Sequence, residues 1–495
     1  MKRRLRTMNR LALICAAVFC VLGSAASGAP RDKSLEAALR AHITTLASDD
    51  YGGREPGTDG EEKTLRYIGR KWFEMGLQSG TNDPGHEWFK PVTLVAREPA
   101  GSTGVFMRKG KALAFRQSDV LMLTSGQRSL LTNAPLLFVG KGQADYSRTE
   151  LAGRVAILLS GAEADGKRQD ALLKAGAGAV MTVLDGERTI AEVSARRKRS
   201  GYALATERLG GDLEGFITDE AFEALLSPVG QSLAALEMEA AAPGFVPRVL
   251  DLTATLEATT RETRIKTHNL IGKIPGRKPD AGAVLFLAHW DHFGQCAEPP
   301  AERLICNGAI DNASGVAALI EIAARLAKSP PQDRDIYFLA TTGEELGLLG
   351  AQAFAENPPI PLKSFVAAFN LDSIAIAPAN TPLATVGHGM TKLDPLIAQV
   401  ARQEKRKLLG DTAANTYVKR QDGWALLQHD VPAVMVTSAY GDLARMEKFF
   451  ETDYHRPTDL ASPKIELGGA AQDVLFHVAL GKFFADTRKV PVLVK

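Results

Sequence analysis

Residues that could ligate a metal ion or move a proton recur just after predicted strands in the second half of the chain. Four continuous apolar runs, typical of strands buried on both faces, end at or shortly before histidine, aspartate or glutamate. Those residues, with Asp311 from a loop that opens a predicted helix, are His289, Asp291, His292, Glu344, Glu345, Asp372, Tyr454 and His455. Because the carboxyl ends of parallel strands meet at one edge of a sheet, we expect the set to converge there.

Imidazole and carboxylate groups without thiolates suit a hydrolytic zinc site. Two histidines and three carboxylates are more than one catalytic zinc takes, and they suit two metals roughly 3.5–4 Å apart that share a bridging carboxylate. One of the adjacent glutamates can ligate while the other acts as general base on water. Alternatively, Glu344 and Glu345 form a charge pair at a helix amino terminus, and Tyr454 simply packs. We expect His292 to point away from the site, because alternate residues of an extended segment face opposite sides.

The elements that must position these residues change in character along the chain. A period of 3.6 residues predicts helices over 33–78, and short aliphatic runs separated by glycine predict a compact β-rich unit with a few helices from about 95 to 260. From Asn269 onward, predicted strands over 283–288, 336–341, 365–371, 383–386 and 433–437 alternate with predicted helices such as 315–327. This alternation predicts an α/β fold whose mostly parallel or mixed sheet is flanked by helices. We place domain boundaries to give segments 1–29, 30–95, 96–262 and 263–495.

The motifs together resemble a known family, the co-catalytic zinc aminopeptidases, which includes secreted bacterial leucyl aminopeptidases and relatives of glutamate carboxypeptidase II. The matching patterns are His-x-Asp, Gly-x-x-Asp-Asn-x-x-Gly, Gly-Glu-Glu-x-Gly, Asn-x-Asp and Tyr-His, all within 263–495, and the segment Gly52–Gly57 also looks familial. The resemblance implies the zinc exopeptidase fold and two Zn²⁺ per chain. It implies His289 and Asp372 on one zinc, Glu345 and His455 on the other, and Asp311 bridging the two.

The same resemblance implies roles for three further residues and a substrate class. Glu344 would be the general base, Asp291 would orient His289 through its free ring nitrogen, and Tyr454 would stabilise the tetrahedral oxyanion. The substrates would be peptides with a free amino terminus. Two features depart from the family pattern, the long loop Gln295–Asn307 and Gln421 before Asp422. Both would alter the substrate entrance without changing the metal ligands.

The middle segment, 96–262, resembles a protease-associated (PA) domain inserted between the amino-terminal helices and the catalytic sheet. Its marks are glycine-punctuated aliphatic runs, namely 134–140, 151–157 and 174–179. Because this segment is inserted beside the catalytic sheet, we hypothesise that it caps or narrows the substrate entrance.

The amino terminus has the order of a secretory signal peptide. Five basic residues precede the apolar run Leu11–Leu22, and small residues follow it through Ala29. The run is shorter than the roughly 18 residues that a spanning helix needs, so we expect cleavage and export to the periplasm or medium rather than a membrane anchor. Cleavage leaves Cys296 and Cys306 as the only cysteines, able to form a disulfide in an oxidising compartment or to remain free thiols.

The net charge limits the classes of binding partner that we expect. The 495-residue precursor has 59 basic and 57 acidic residues, and removing 1–29 leaves 54 and 57, which gives no electrostatic case for nucleic acid. The oligomeric state is left open. The functional alternatives to an aminopeptidase are a carboxypeptidase, dipeptidase or glutaminyl-cyclase-like enzyme on the same scaffold, and a non-catalytic binding ectodomain.

Overall fold

The structure is a computed structural model that describes residues 31–142, 146–161, 165–186, 188–207 and 210–491. The predicted signal peptide, 1–29, lies outside the described residues. Within them, no helix combines the length and apolarity that crossing a membrane requires.

The described chain forms thirteen α-helices. They begin with α1, whose first turn is capped by Asp32 through a hydrogen bond from the Leu35 N–H (3.0 Å), and α2, capped by Thr58. In order, the helices are α1 Lys33–Leu46, α2 Asp59–Glu74, α3 Arg148–Leu151, α4 Asp165–Lys174, α5 Ile190–Ser200, α6 Asp219–Leu226, α7 Leu233–Ala241, α8 Gly315–Ala327, α9 Leu349–Glu356, α10 Asp394–Gln403, α11 Gly423–Leu427, α12 Leu443–Thr452 and α13 Gly468–Ala485.

Fifteen strands join one continuous hydrogen-bonded sheet. In order, they are β1 Gln78–Ser79, β2 Phe89–Arg108, β3 Lys111–Ala112, β4 Val120–Thr124, β5 Arg128–Phe138, β6 Val155–Leu159, β7 Ala179–Val183, β8 Tyr202–Leu204, β9 Leu213–Ile217, β10 Arg248–Ile274, β11 Ala283–His289, β12 Asp335–Thr341, β13 Phe365–Asn370, β14 Ala384–Val386 and β15 Ala433–Thr437. The predicted strand over 433–437 and the predicted helix over 315–327 have these same bounds.

The C-terminal part of the sheet carries the strands whose ends were expected to bear the site. Its order is β14-β15-β13-β11-β12-β10, with β15, β13, β11 and β12 mutually parallel and β14 and β10 antiparallel at the flanks. The parallel strands are buried along their whole length, as their continuous apolar sequences require. Helices α8 and α13 pack together on one face, where Phe286 stacks between Phe338 and Phe369. The predicted α/β class with a mixed sheet flanked by helices is confirmed.

A long antiparallel ribbon connects this part of the sheet to the middle segment. Strands β2 and β10 pair from Phe89 opposite Leu270 to Met107 opposite Thr253. The domain boundaries placed at 95/96 and 262/263 cross this ribbon at matching heights, because Ala96 pairs with Thr263. No physical break in the ribbon marks them, so they stay predictions.

The middle segment has its own apolar core and contains strands together with the helices α3 to α7. Strands β5, β6, β7 and β9 run parallel, with β4 antiparallel at the edge. Buried side chains of this segment, among them Phe106, Phe138 and Phe222, form one cluster, separate from the cluster of the C-terminal part of the sheet. Identity with a PA domain stays a prediction.

Candidate metal centre

Three neighbouring parallel strands bring the first predicted site residues to one edge. His289 is the last residue of β11, Glu344 and Glu345 follow β12, and Asp372 follows β13. The sheet order β13-β11-β12 makes these three carboxyl ends adjacent. The turn after β12 uses Gly343 at a φ of +61°, a left-handed conformation that glycine adopts without steric cost.

Asp311 lies between the two histidines with one oxygen directed to each. Its Oδ1 is 3.3 Å from His289 Nε2 and its Oδ2 is 3.3 Å from His455 Nε2. Asp311 is 2% exposed and sits in the irregular helical turn Ala309–Ser314, just before α8. This is the arrangement that a carboxylate bridging two cations requires.

The remaining predicted ligands divide between the two sides of Asp311. Asp372 Oδ1 lies 3.7 Å from His289 Nε2, whereas Glu345 Oε2 lies 2.9 Å from His455 Nε2. Two sets of ligand atoms are close enough to hold an ion, one formed by His289, Asp311 and Glu345 and one by His289, Glu344 and Asp372. The five residues predicted as ligands therefore come together in one cluster, which is buried except for the His455 side chain, 34% exposed.

Glu344 lies inside this cluster rather than in a charge pair at a helix amino terminus, since α9 begins only at Leu349. Its Oε2 is 3.8 Å from His289 Nε2, and its side chain is 10% exposed. Burial, with the neighbouring charges of Glu345 and Asp372, raises the pKa of Glu344 well above its usual value. A carboxyl group with a raised pKa and a position beside the ligands is suited to accept and release a proton near neutral pH.

Asp291 contacts His289 mainly through its main chain. The His289 Nδ1 lies 3.2 Å from the Asp291 carbonyl oxygen and 3.9 Å from its carboxylate Oδ1. That Oδ1 accepts a hydrogen bond from the Glu344 N–H at 3.2 Å, and burial raises the pKa of Asp291 to about 7. The Asp291 carboxylate thus lies beneath both the ring of one predicted ligand and the backbone of the predicted base.

Tyr454 stacks on the ring of its neighbour His455, with ring centroids 3.6 Å apart and planes inclined by 24°. Burial and the nearby carboxylates of Asp311 and Glu345 raise the pKa of Tyr454 far above its usual value. The phenol therefore stays protonated and can donate a hydrogen bond. The Arg420 guanidinium lies 5.2 Å from the centre of the Tyr454 ring.

Several ligand-type atoms in the cluster are buried without a hydrogen-bond partner among the described residues. They are His289 Nε2, His292 Nε2, His455 Nε2, Asp311 Oδ2, Asp291 Oδ2 and Asp422 Oδ1. Buried polar atoms are normally paired, so atoms left open in this pattern call for bound cations. The donor set of imidazole and carboxylate fits zinc, and its division around Asp311 fits two ions.

The charges in the cluster also favour bound cations. Burial opposes the charged form of His455, but the carboxylates of Asp311 and Glu345 outweigh it and raise the pKa of His455 to about 9. For Asp311, burial is likewise outweighed by His289 and His455, which hold its pKa well below its usual value. The acids attract positive charge strongly, which is the condition for binding divalent metal.

The structure places two further acids in the site. Asp459 is 2% exposed, and its carboxylate accepts hydrogen bonds from the N–H groups of Ile310 (2.9 Å) and Asp311 (3.0 Å). Asp422 is fully buried and accepts a hydrogen bond from the hydroxyl of Thr341, at the end of β12. Asp459 had no signal in the sequence beyond lying four residues after His455, whereas Asp422 was marked only by its motif with Gln421.

Arg54, from the amino-terminal segment, holds the loops that carry the ligands. It is 0% exposed and donates hydrogen bonds to four carbonyl oxygens, those of Trp290 (2.8 Å), Leu46 (3.0 Å), Asn307 (2.6 Å) and Gly308 (2.9 Å). These bonds link the residues beside His289 to the loop before Asp311. The familial segment Gly52–Gly57 therefore has a physical function, since it supplies this arginine.

The prediction that His292 points away from the site was wrong. Its side chain is buried, and its Nδ1 lies 2.5 Å from Glu345 Oε1. The alternation of side chains holds only along a strand, and β11 ends at His289, so the chain turns before it reaches His292.

The long loop after His292 is closed by a disulfide between Cys296 and Cys306. The loop is tied to the amino-terminal segment through Asn307, whose side-chain amide donates to Asp49 at 2.7 Å. Phe293, at the base of the loop, packs edge-on to the ring of His455 at 4.5 Å. The loop therefore forms part of the rim on the His455 side.

Comparison with known proteins identifies relatives of the region that carries the site. Residues 269–477 match the profile described as Peptidase family M28. Aminopeptidase YwaD of Bacillus subtilis is 34% identical over 126 residues, which cover 25% of this chain and 25% of that protein. The probable lipoprotein aminopeptidase LpqL of Mycobacterium tuberculosis is 25% identical over 345 residues, 68% of this chain and 59% of that protein.

The chain thus spans a quarter to about three fifths of the length of these curated relatives. Among solved structures, the aminopeptidase from Aneurinibacillus sp. strain AM-1 superposes with a TM-score of 0.53 at 19% identity, over 91% of this chain and 93% of that one. At this identity the likeness concerns the fold, and it extends over the amino-terminal and middle segments as well as 269–477.

Proposed function

Residues 269–477 of this chain belong to peptidase family M28, as the motifs indicated, and from this premise we propose that the protein is an exported dinuclear zinc aminopeptidase. The observation that carries the proposal is the position of Asp311, with one carboxylate oxygen 3.3 Å from each of two histidine nitrogens. A bridging carboxylate with separate ligands on either side is the arrangement of a two-metal hydrolase.

We assign the residues to two zinc positions. His289 and Asp372 would hold one ion, Glu345 and His455 the other, and Asp311 both. When bound, the two ions would supply Lewis acidity, which polarises the scissile carbonyl and makes water a nucleophile near neutral pH.

The proton transfers would be made by Glu344. Its raised pKa allows it to take the proton from the attacking water and then pass it to the leaving amine, so that the peptide C–N bond breaks as the amine departs neutral. The protonated Tyr454 hydroxyl would donate a hydrogen bond to the oxyanion. Asp291 would keep the His289 ring and the Glu344 backbone in place.

A free amino terminus is the substrate feature that the relatives favour. YwaD and LpqL, which this chain resembles, are both described as aminopeptidases. This supports an aminopeptidase over the carboxypeptidase alternative.

Activity on matched substrates tests the proposal. Zinc-loaded protein should release the anilide from aminoacyl-anilides and leave the same compounds intact when their amino group is acetylated. Glu344→Gln should keep both zinc ions and lose about 10²–10⁴-fold in kcat, the range for a general base. Wild-type protein that is loaded with zinc and cleaves no aminoacyl-anilide or dipeptide would contradict the proposal, and normal turnover by Glu344→Gln would contradict the base assignment.

Export is supported by the signal-like sequence of 1–29 and by the disulfide between Cys296 and Cys306, since disulfides persist in oxidising compartments. The relative LpqL is itself described as a lipoprotein. Amino-terminal sequencing of protein recovered from the periplasm or medium should give a start close to residue 30. A start at Met1 would contradict export by cleavage.

The middle segment would narrow the substrate entrance, as expected of a PA-like domain. Its strand β8 pairs with β2, and Leu204 packs against Leu94 and Leu349, next to the residues that follow Glu345. Leu204→Ala should therefore change the ratio of kcat/KM for dipeptides to that for longer peptides. An unchanged ratio would count against this role.

A further inference from the structure

His292 is a buried histidine in the centre to which the proposed reaction gives no part. Its Nε2 is buried without a hydrogen-bond partner among the described residues. Its Nδ1 instead lies 2.5 Å from Glu345 Oε1, while the other oxygen of the same carboxylate, Oε2, lies 2.9 Å from His455 Nε2. The two oxygens of Glu345 therefore have different partners.

The proton between His292 and Glu345 follows from the chemistry of the carboxylate. A glutamate that ligates a metal is ionised, and an ionised carboxylate only accepts hydrogen bonds. The His292 Nδ1 must then carry the proton, and this charge-assisted hydrogen bond occupies Oε1. Glu345 is left with Oε2 as the one oxygen directed at the position beside His455.

The fold holds the His292 ring so that this hydrogen bond has a fixed direction. The His292 N–H donates to the carbonyl oxygen of Arg54 at 3.2 Å. On the ring face lies Gly308, where a Cβ atom would stand 2.7 Å from the ring carbons Cγ and Cδ2, so only glycine fits. Phe293 and His455 meet the ring edge-on, with centroids 5.2 and 5.9 Å away. A ring enclosed in this way cannot turn to offer its other nitrogen to Glu345.

We propose that His292 is a positioning residue for the metal beside His455: by donating from Nδ1 to Glu345 Oε1, it makes Glu345 a ligand through Oε2 alone. The inference rests on the proposed function in so far as that function supplies the metal. The inference goes beyond the proposed function, because it makes the affinity of one of the two metal positions depend on a residue that is not itself a ligand. Partners of this kind change metal affinity by about 10–100-fold.

Two substitutions separate the donor from the bulk of the side chain. In His292→Asn, the amide nitrogen can occupy the place of Nδ1 and still donate to Glu345. In His292→Gln, the amide lies further along the side chain and cannot donate at that place. We would measure zinc per chain at buffered free zinc, and zinc affinity by competition with a chromophoric chelator, with circular dichroism of the metal-free proteins as the folding control.

We expect wild type and His292→Asn to bind two zinc ions with affinities within about threefold of each other. His292→Gln should bind one ion normally and the other about 10–100-fold more weakly, and raising free zinc by the same factor should restore its stoichiometry. Equal affinities in His292→Gln and wild type would overturn the inference, as would equal losses in the two variants. Wild-type protein that binds no zinc would overturn the proposed function as well, so the two failures are distinguishable.

A measurement on wild-type protein keeps the test independent of how the variants fold. In protein loaded with ¹¹³Cd²⁺ and labelled with ¹⁵N-histidine, the metal should couple to nitrogens of His289 and His455. His292 should show a protonated Nδ1 and no coupling to the metal. A cadmium coupling to His292 would make it a ligand and would overturn the inference.

Discussion

Replacement of Arg54 by lysine tests whether the amino-terminal segment fixes the metal loops. Arg54 donates to four buried carbonyl oxygens, and those of Asn307 and Gly308 precede the bridging Asp311. Lysine keeps the positive charge, so Arg54→Lys leaves the electrostatics of the acidic centre close to wild type. One ammonium nitrogen can reach about two of the four carbonyls, because its donors share a single atom.

The expected loss of stability in Arg54→Lys follows from the number of carbonyl groups left without a hydrogen-bond donor. Each buried group that loses its partner costs about 1–3 kcal/mol, so two of them cost about 2–6 kcal/mol. At about 2 °C per kcal/mol for a domain of this size, the Tm should fall by about 4–12 °C. Because the loop before Asp311 loses its anchors, zinc affinity should fall by about tenfold or more as well.

Thermal unfolding of the metal-free and zinc-loaded forms, with zinc affinity from chelator competition, would measure both effects. Arg303→Lys is a matched control, since Arg303 pairs with Asp49 at the surface and contacts none of these four carbonyls. An Arg54→Lys protein whose Tm and zinc affinity equal those of the control would refute the reasoning. A lower Tm with unchanged zinc affinity would show that Arg54 supports the fold without positioning the metal loops.

Three further outcomes are expected. Chelation of zinc should lower the Tm reversibly, because the acids that zinc neutralises would then repel one another. At a free zinc concentration of 1,000 times the Kd, each bound ion adds about 4 kcal/mol to the free energy of unfolding. A Tm unaffected by chelator would contradict a zinc centre. Asp459→Asn keeps one acceptor for the Ile310 and Asp311 N–H groups but loses the charge. We expect its free energy of unfolding in urea to fall by about 1–2 kcal/mol and its zinc binding to weaken about 10-fold. Wild-type values of both would contradict the role given to Asp459. Burial lowers the pKa of His477, so below pH about 6.5 the unfolded state binds a proton that the folded state does not, and up to about 1.4 kcal/mol of stability is lost per pH unit. When urea unfolding is compared at pH 7 and pH 5, His477→Phe should therefore lose less stability than wild type. Equal losses in the two proteins would contradict this.

The strands of the C-terminal part of the sheet, and the chemistry at their ends, could be read from the sequence. Runs such as 433–437 and 283–288 are continuously apolar because they are buried on both faces, and this leaves a local trace whatever the rest of the chain does. Since parallel strands end at one edge, the residues that follow such runs could be expected to converge. His289, Glu345 and Asp372 do lie together, and their types are those that suit zinc.

The amino-terminal and middle segments could be predicted in outline only. The helical period identified α1 and α2, and the aliphatic runs identified β6 and β7. The ribbon of β2 and β10 could not be expected, because its residues at 89–108 find their partners at 253–270, and register over such a separation leaves no periodic mark.

What only the tertiary structure decided is how the ligands are held. Arg54 reaches Gly308 across 254 residues of sequence, and Asp459 reaches Asp311 across 148. Both act through backbone groups, which every residue has, so neither contact restricts residue type at its far end or produces a motif. His292 was misjudged for the same reason: its side-chain direction depends on a turn after β11 and on the space left by Gly308. The sequence by itself determined which chemical groups gather at the sheet edge, through residue type and strand period. Which oxygen of each carboxylate faces which partner was decided by packing between distant segments.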